Sequence, residues 1–226
     1  MKLAHKDFKF IVDFSNGNCP VIVIENSKFF RQYVSEMYEQ YSGVDGHFVM
    51  SLNWEPIPIS KNIFMVTDVF NMTLNGRKQI NMLIKKLEEI SLSEYFIQKT
   101  LEAKRSLEDW LYTLEEEIPL PLMHDEEICI ANLIKASGIQ FEGENLPVPE
   151  KLDAFIKICA EFFGIKLLVF VGLHTCLEKE ELEQLYKTAA YQEVAVLDFE
   201  RIEPDIILPN EKLYIIDKDG CEIYTD

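Results

Sequence analysis

Between Lys166 and Glu200 the pattern of apolar and polar positions reads strand, helix, strand. An unbroken apolar run, Leu167 to Val171, passes through Gly172 into a segment that sets Leu182, Leu185 and Tyr186 on one helical stripe, and a β-branched run follows from Val194 to Phe199. This order predicts a right-handed crossover between parallel strands. Strands that are apolar along their whole length need cover on both faces, so the unit demands further strands and helices elsewhere in the chain.

The rest of the pattern supplies them. Residues 8–14, FKFIVDF, alternate as a half-buried strand does, and Asn16-Gly17 predicts a hairpin turn before a short apolar strand at Val21 to Ile24. Asn26 or Ser27 caps a helix whose stripe is Phe29, Phe30, Tyr33, Val34, Met37 and Tyr38, a stripe that reads as core. Strands are predicted at His47 to Leu52 and Ile63 to Val66. From about Asn71 two long helical patterns follow, Thr73 to Ile90 and Ser93 to Glu117, the first repeating Ile80, Leu83, Ile84, Leu87 and Ile90, the second Ile97, Leu101, Leu107, Trp110, Leu111 and Leu114. They read as an arm or bundle, not as covers for a sheet. Further helices are predicted at Glu126 to Ser137 and Pro149 to Phe163, stopped by Gly138 and Gly164. Leu213 to Ile216 and Glu222 to Tyr224 form a hairpin closed by Asp219-Gly220. The expected organisation is an α/β domain built from residues 1–70 and 165–226, interrupted by a helical insertion, 71–164.

Composition adds a constraint that the pattern alone does not. With 39 acidic and 22 basic residues the net charge is −17, the opposite of a globally basic nucleic-acid-binding domain. The distribution is uneven: Arg77, Lys78, Lys85, Lys86, Lys99, Lys104 and Arg105 concentrate the positive charge, while acids crowd Glu115 to Glu127 and Glu178 to Glu183. Five dispersed cysteines without a Cys-x-x-Cys pair fit free thiols in a reducing compartment. The start, MKLAHKDFKF, lacks a signal-peptide core, and no apolar run approaches the ~20 residues of a membrane span, so the expectation is a cytoplasmic protein.

Candidate chemistry is sparse. The junction after Val21 to Ile24 reads ENSKFF, with no glycine, where a phosphate loop needs G-x-x-x-x-G-K-[ST], so ATP hydrolysis by that route is not expected. Asp68 and Asp198, in or beside apolar strands, then read as cap or surface acids. His174 and Cys176 lie just past the carboxyl end of a strand, where open α/β sheets place ligands, and with Asp68 they define an alternative, a small-molecule enzyme site. The other reading of the same residues is Thr175 as a cap and Cys176 as packing. His5, His47 and His124 have no metal-ligand spacing.

The acidic corner carries more. Glu115, Glu116 and Glu117 close one helix, where the macrodipole disfavours them, and Asp125, Glu126 and Glu127 open the next, where it favours them. Bringing both groups to one corner costs repulsion unless a cation bridges them, and oxygen-only ligands point to calcium or magnesium, calcium more readily. The seven basic residues have two readings: a solvated helix face with pairs such as Lys85 to Glu88 or Glu89, or a surface that meets phosphates without reading bases.

The segments PVIVIENSKFF, NIFMVTDVF, EEICIANLIKASGIQFE and KLLVFVGLHTCLEKEELEQLY, in this order and spacing, resemble the accessory spacer-acquisition protein of type II-A CRISPR systems, a family of ring-forming proteins that bind double-stranded DNA ends. The resemblance covers nearly the whole chain. It implies a P-loop-NTPase-like α/β head without the nucleotide loop, with an α-helical leg inserted into it. It implies a homotetrameric ring whose basic hole threads duplex DNA, calcium held by acids near the junction of head and leg, no enzymatic activity, and action beside the nuclease and integrase of CRISPR adaptation. Glu126 and Glu127 match the acidic pair before the Ile-x-Ile-x-x-Leu-Ile-Lys segment, and Glu116 or Glu117 the acids that end the preceding helix. Pro119-Leu120-Pro121-Leu122 departs from the family's pattern, in which this stretch is shorter and carries further acids. No motif fixes which lysines contact DNA.

Overall fold

The computed structural model describes residues 1–123 and 127–224. In chain order it runs β1 (Lys2–His5), β2 (Val12–Asp13), β3 (Cys19–Ile24), α1 (Ser27–Tyr41), β4 (Phe48–Leu52), β5 (Glu55–Ile57), α2 (Ile59–Asn62) and β6 (Ile63–Val66). Three helices follow, α3 (Arg77–Ser91), α4 (Ile97–Glu115) and α5 (Ile130–Ala136). The chain then continues with α6 (Val148–Phe163), β7 (Leu167–Val171), α7 (Leu173–Cys176), α8 (Lys179–Tyr191), β8 (Ala195–Glu200), β9 (Glu211–Ile216) and β10 (Glu222–Tyr224). It divides into two compact units, Met1–Leu74 with Gly143–Asp226, and Asn75–Glu142.

The first unit is mixed α/β. Its larger sheet has the order β10-β9-β3-β8-β7-β6, parallel from β9 to β6, with β10 added antiparallel at one edge. The predicted crossover is present: Leu167 pairs with Ala195 and Val171 with Phe199, in parallel register, with α8 between the two strands. Val21 to Ile24 and Leu167 to Phe170 are wholly buried, as strands covered on both faces must be. A second, antiparallel sheet, β2-β1-β4-β5, shares one core with the first: Leu3, Phe48 and Met50 pack with Ile22, Ile24, Met37, Leu197, Phe199 and Tyr214. Each such fully buried side chain contributes about 1.5–3 kcal/mol. Elsewhere α6 lies beside α8, burying Leu152, Phe155, Ile156 and Cys159, and ends on Gly164 in the left-handed conformation, φ 60°.

Three expectations change. Residues 8–14 form a strand only at Val12–Asp13, which pairs with β1, so Asn16-Gly17 closes no hairpin. The alternation at Phe8 and Phe10 serves an aromatic cluster instead: Phe8 stacks on Phe10 and meets Tyr33 and His5, while the Lys9 N–H donates to the Glu222 carboxylate at 2.9 Å. Second, the helical unit spans Asn75–Glu142, narrower than 71–164, because α6 belongs with α8 and the sheet. Its ends are clamped side by side: Asn75 Nδ2 donates to Phe141 O at 2.9 Å and Phe141 N–H donates to Asn75 Oδ1 at 2.7 Å, so the chain turns into α3 only at Arg77. Third, α4 starts at Ile97, after a turn in which Ser93 Oγ donates to Ile90 O, and α5 starts at Ile130.

Within the helical unit α3 packs on α5, whereas α4 buries no side chain fully. Its half-buried positions, Ile97, Thr100, Lys104, Leu107, Glu108, Leu111 and Glu115, form one stripe, flanked by exposed Leu101, Trp110 and Leu114.

Candidate functional site

The acidic corner begins where α4 ends. Glu116 is the C-cap, its N–H donating to Tyr112 O at 3.2 Å, and the Glu117 N–H donates to Leu114 O at 3.3 Å, so both carboxylates are presented at the negative end of the helix. Glu116 and Glu117 are exposed, as is Glu127, whose Oε1 lies 3.9 Å from Lys104 Nζ. Asp125 and Glu126 lie outside the described residues. Among the described residues Glu116, Glu117 and Glu127 are not drawn into one ligand set. Their chemistry is that of loosely arranged, hydrated oxygen donors, which suits calcium better than the stricter magnesium ion.

The basic residues split by helix. At about 100° per residue, Arg77, Lys78, Lys85 and Lys86 fall within one half of the α3 circumference, opposite buried Leu83 and Ile84, and all four are exposed. Among the described residues Lys85 makes no ion pair with Glu88 or Glu89, nor do Arg77 and Lys86 make any. On α4, Lys99, Lys104 and Arg105 point in three directions about 120° apart. Lys104 sits inside the apolar stripe between Ile97 and Leu111 and is half-buried, with Glu127 as its partner. Four cations thus share one side of α3, whereas the three on α4 share no one side of that helix.

A different cluster forms on one face of the parallel sheet, beside the carboxyl end of β7. His174, on α7 just past β7, meets Asp198 and Glu200 of β8 and Glu211 of β9, and strand alternation puts Asp198 and Glu200 on one face. His174 Nδ1 is 3.1 Å from Asp198 Oδ2 and 3.6 Å from Glu200 Oε1, while Nε2 is 2.9 Å from Glu211 Oε1. Backbone and hydroxyl donors complete the network: Leu173 N–H to Asp198 at 3.2 Å, His174 N–H to Glu200 Oε1 at 2.8 Å, Leu208 N–H to Glu211 Oε2 at 2.7 Å, and Tyr186 Oη–H to Glu211 Oε1 at 2.8 Å. Asp198 is fully buried, not a surface acid; its place in the centre of the sheet removes it from water.

Burial by itself would lower the His174 pKa, but the Asp198, Glu200 and Glu211 carboxylates that surround it outweigh it and raise it to about 11. Burial pushes the Asp198 carboxyl up to about 6 against the pull of His174. Burial, then Glu200, Asp198 and Asp68, push the Cys176 thiol up, which is the wrong direction for a nucleophile. No hydrogen bond joins Cys176 to His174 among the described residues. Asp68 is exposed and caps its own turn, accepting from Phe70 N–H at 2.9 Å and Asn71 N–H at 3.2 Å. The set of Asp68, His174 and Cys176 therefore does not assemble as a nucleophile and its base; only His174 is drawn into a cluster. Glu200, Glu211 and Tyr186 escaped sequence reasoning, although two acids at alternate positions in an apolar strand, Asp198 and Glu200, were a readable signal.

Residues without metal-ligand spacing also meet in space. His5 Nε2 lies 3.2 Å from Glu36 Oε2, and His47 Nδ1 lies 2.6 Å from Glu36 Oε1. The remaining nitrogens are engaged: Asp7 N–H donates to His5 Nδ1 at 3.2 Å, and His47 Nε2 lies 2.8 Å from Lys6 Nζ. Because His5 Nδ1 accepts, its Nε2 carries the proton and donates to Glu36, leaving no lone pair for an ion. This is a closed polar network that ties β1 and the start of β4 to α1.

The family described as CRISPR-associated protein (Cas_Csn2) matches residues 40–220. CRISPR-associated protein Csn2 of Streptococcus agalactiae is 28% identical over 211 residues, which cover 90% of this chain and 89% of that protein. The Csn2 protein of Enterococcus faecalis is 24% identical over 162 residues, 69% of each chain. Among solved structures, a bacterial Atm1-family ABC exporter with ATP bound aligns with 92% of this chain at 12% identity and a TM-score of 0.34; this chain spans 33% of that one. Among the described residues no helix is long and apolar enough to cross a membrane.

Proposed function

Because the chain belongs to the CRISPR-associated Csn2 family, whose role lies in CRISPR adaptation, we propose that it is a non-catalytic, calcium-dependent ring that binds duplex DNA ends without reading sequence. The observation that carries this reading is the α3 surface. In a protein of net charge −17, four cations gather on one exposed half of one helix, three of them without an ion-pair partner among the described residues. Such a surface attracts phosphates and releases counterions without specifying bases. In a ring it would line the hole, with the acidic excess outside.

In this reading the parallel sheet is a P-loop-like head lacking its nucleotide loop, and residues 75–142 are the helical leg. The ring is a homotetramer. An α4 with no fully buried side chain, whose stripe is flanked by exposed Leu101, Trp110 and Leu114, supports self-association, since a second copy would bury what the chain alone leaves in water. The calcium ligands are Glu116, Glu117, Asp125, Glu126 and Glu127, and bound calcium offsets the repulsion of acids collected at the end of α4. The partners are duplex DNA and the nuclease and integrase proteins of adaptation, and the setting is the cytoplasm.

Light scattering coupled to gel filtration tests this reading. Calcium is expected to give four times the 26.3 kDa chain mass and to raise the melting temperature, and E126Q/E127Q is expected to abolish the calcium-induced rise. A monomer in calcium, or a variant that responds as the wild type does, contradicts it.

A further inference from the structure

We propose that His174 Nδ1, Asp198 Oδ2 and Glu200 Oε1 form a binding site for one first-row divalent cation, with Zn2+ the best fit, separate from the acids of the helical unit. The first argument is spacing. Ligands 2.0–2.2 Å from one ion in tetrahedral or octahedral geometry stand ~2.8–3.6 Å from each other. Nδ1 stands 3.1 Å from Asp198 Oδ2 and 3.6 Å from Glu200 Oε1, and the second of these distances is too long for a hydrogen bond. All three donor atoms lie within 4.8 Å of one another.

The second argument is the outer shell. A metal-bound imidazole keeps its other N–H for a carboxylate, which fixes its tautomer and aim. Nε2 lies 2.9 Å from Glu211 Oε1, within ion-pair reach but not aligned as a hydrogen bond, and Glu211 is itself held by the Tyr186 hydroxyl and the Leu208 N–H. The two ligating carboxylates are held in turn by Leu173 N–H and His174 N–H. Among the described residues no backbone donor points at either ring nitrogen of His174, in contrast to His5, where Asp7 N–H occupies Nδ1.

The third argument is charge. Asp198, Glu200 and Glu211 are all buried or nearly so, and among the described residues His174 is the one group paired with them that can carry a positive charge. Replacing a single proton on Nδ1 by a doubly charged ion leaves one less uncompensated negative charge in the core, where such charge is costly. The field that holds the proton acts on a divalent ion twice as strongly. A mixed nitrogen and carboxylate set selects zinc and its first-row neighbours over calcium, which prefers oxygen alone. A cavity of about 470 Å3 reaches His174 and is lined by Glu178, Lys179, Glu180 and Asp205, whose net negative charge would draw a cation inward.

The test uses the full chain stripped with a chelator and titrated with Co2+ and Zn2+ by calorimetry and, for Co2+, visible absorption. The expected result is one ion per chain, not displaced by excess Ca2+, with about one proton released per ion at neutral pH as the imidazolium gives up its Nδ1 proton. E211Q should weaken binding by about 10–100-fold, E200Q should abolish saturable uptake, and E126Q/E127Q should leave it unchanged. Imidazole 15N spectra of the wild type decide the matter even where a buried variant fails to fold, since Zn2+ should shift the Nδ1 resonance of His174 and leave Nε2 protonated. Absence of stoichiometric uptake, uptake unchanged in E211Q and E200Q, or no change at His174 Nδ1 overturns the proposal.

Discussion

Reversing Lys85 and Lys86 together to glutamate is expected to weaken duplex binding by about 10-fold or more, by the same factor on every sequence, and to flatten its dependence on salt. Both side chains stand on the exposed half of α3, away from buried Leu83 and Ile84, so the substitution leaves the packing of α3 on α5 in place. Each lost phosphate contact removes ~0.9 from the slope of log affinity against log salt, so the pair should lower it by about 2 per engaged subunit. Filter binding of two unrelated duplexes across a salt series reads this directly. An effect confined to one sequence, or a slope that does not move, contradicts the assignment of α3 to the phosphate surface. K104E should behave differently: Lys104 lies within the apolar stripe of α4, so its reversal is expected to disturb association before it disturbs the salt slope.

His174→Ala is expected to be the most destabilising single change near the sheet, at about 3–5 kcal/mol, because it strands Asp198, Glu200 and Glu211 in the interior without their cation. The pH dependence has a definite sign. The ordinary histidine value is 6.5 and the folded value about 11, so the stability that His174 contributes is complete below pH 6.5 and disappears as pH rises toward 11. Asp198 works in the same direction at lower pH: its carboxyl is raised from 3.8 to about 6, so ionising it inside the fold costs stability as pH climbs through that range. Denaturant melts of the metal-free wild type and of H174A between pH 6 and 10 should show the gap between them closing on the alkaline side. A gap that does not change with pH contradicts the account of a protonated His174.

The parts of the fold that were legible in the sequence share one property: their period was not ambiguous. Continuous apolar runs at Val21 to Ile24 and Leu167 to Val171 had no helical alternative of the right length, and Asn26, Gly164 and Asp219-Gly220 mark boundaries through local backbone chemistry. Residues 8–11 misled because alternation records only which side chains turn inward, and an irregular loop around an aromatic cluster buries Phe10 and half-buries Phe8 as a strand would. α6 was assigned to the insertion because an amphipathic stripe does not say what it faces. The membership of the His174 cluster depended on strand order: Glu200 and Glu211 are neighbours of His174 only because β8, β3 and β9 are arranged as they are, which no local pattern encodes. The basic residues on α3 were legible one by one, and their common face follows from their spacing, while the discordant directions of Lys99, Lys104 and Arg105 follow from the same geometry applied to α4.

A gel-shift series on linear and closed-circular duplex of one sequence, with calcium or with chelator at fixed salt, tests the central claim most directly. A ring that threads free ends should shift the linear duplex in calcium, leave the closed circle unbound, and release the linear duplex when calcium is removed. Equal binding to circle and line, or binding indifferent to calcium, would contradict it.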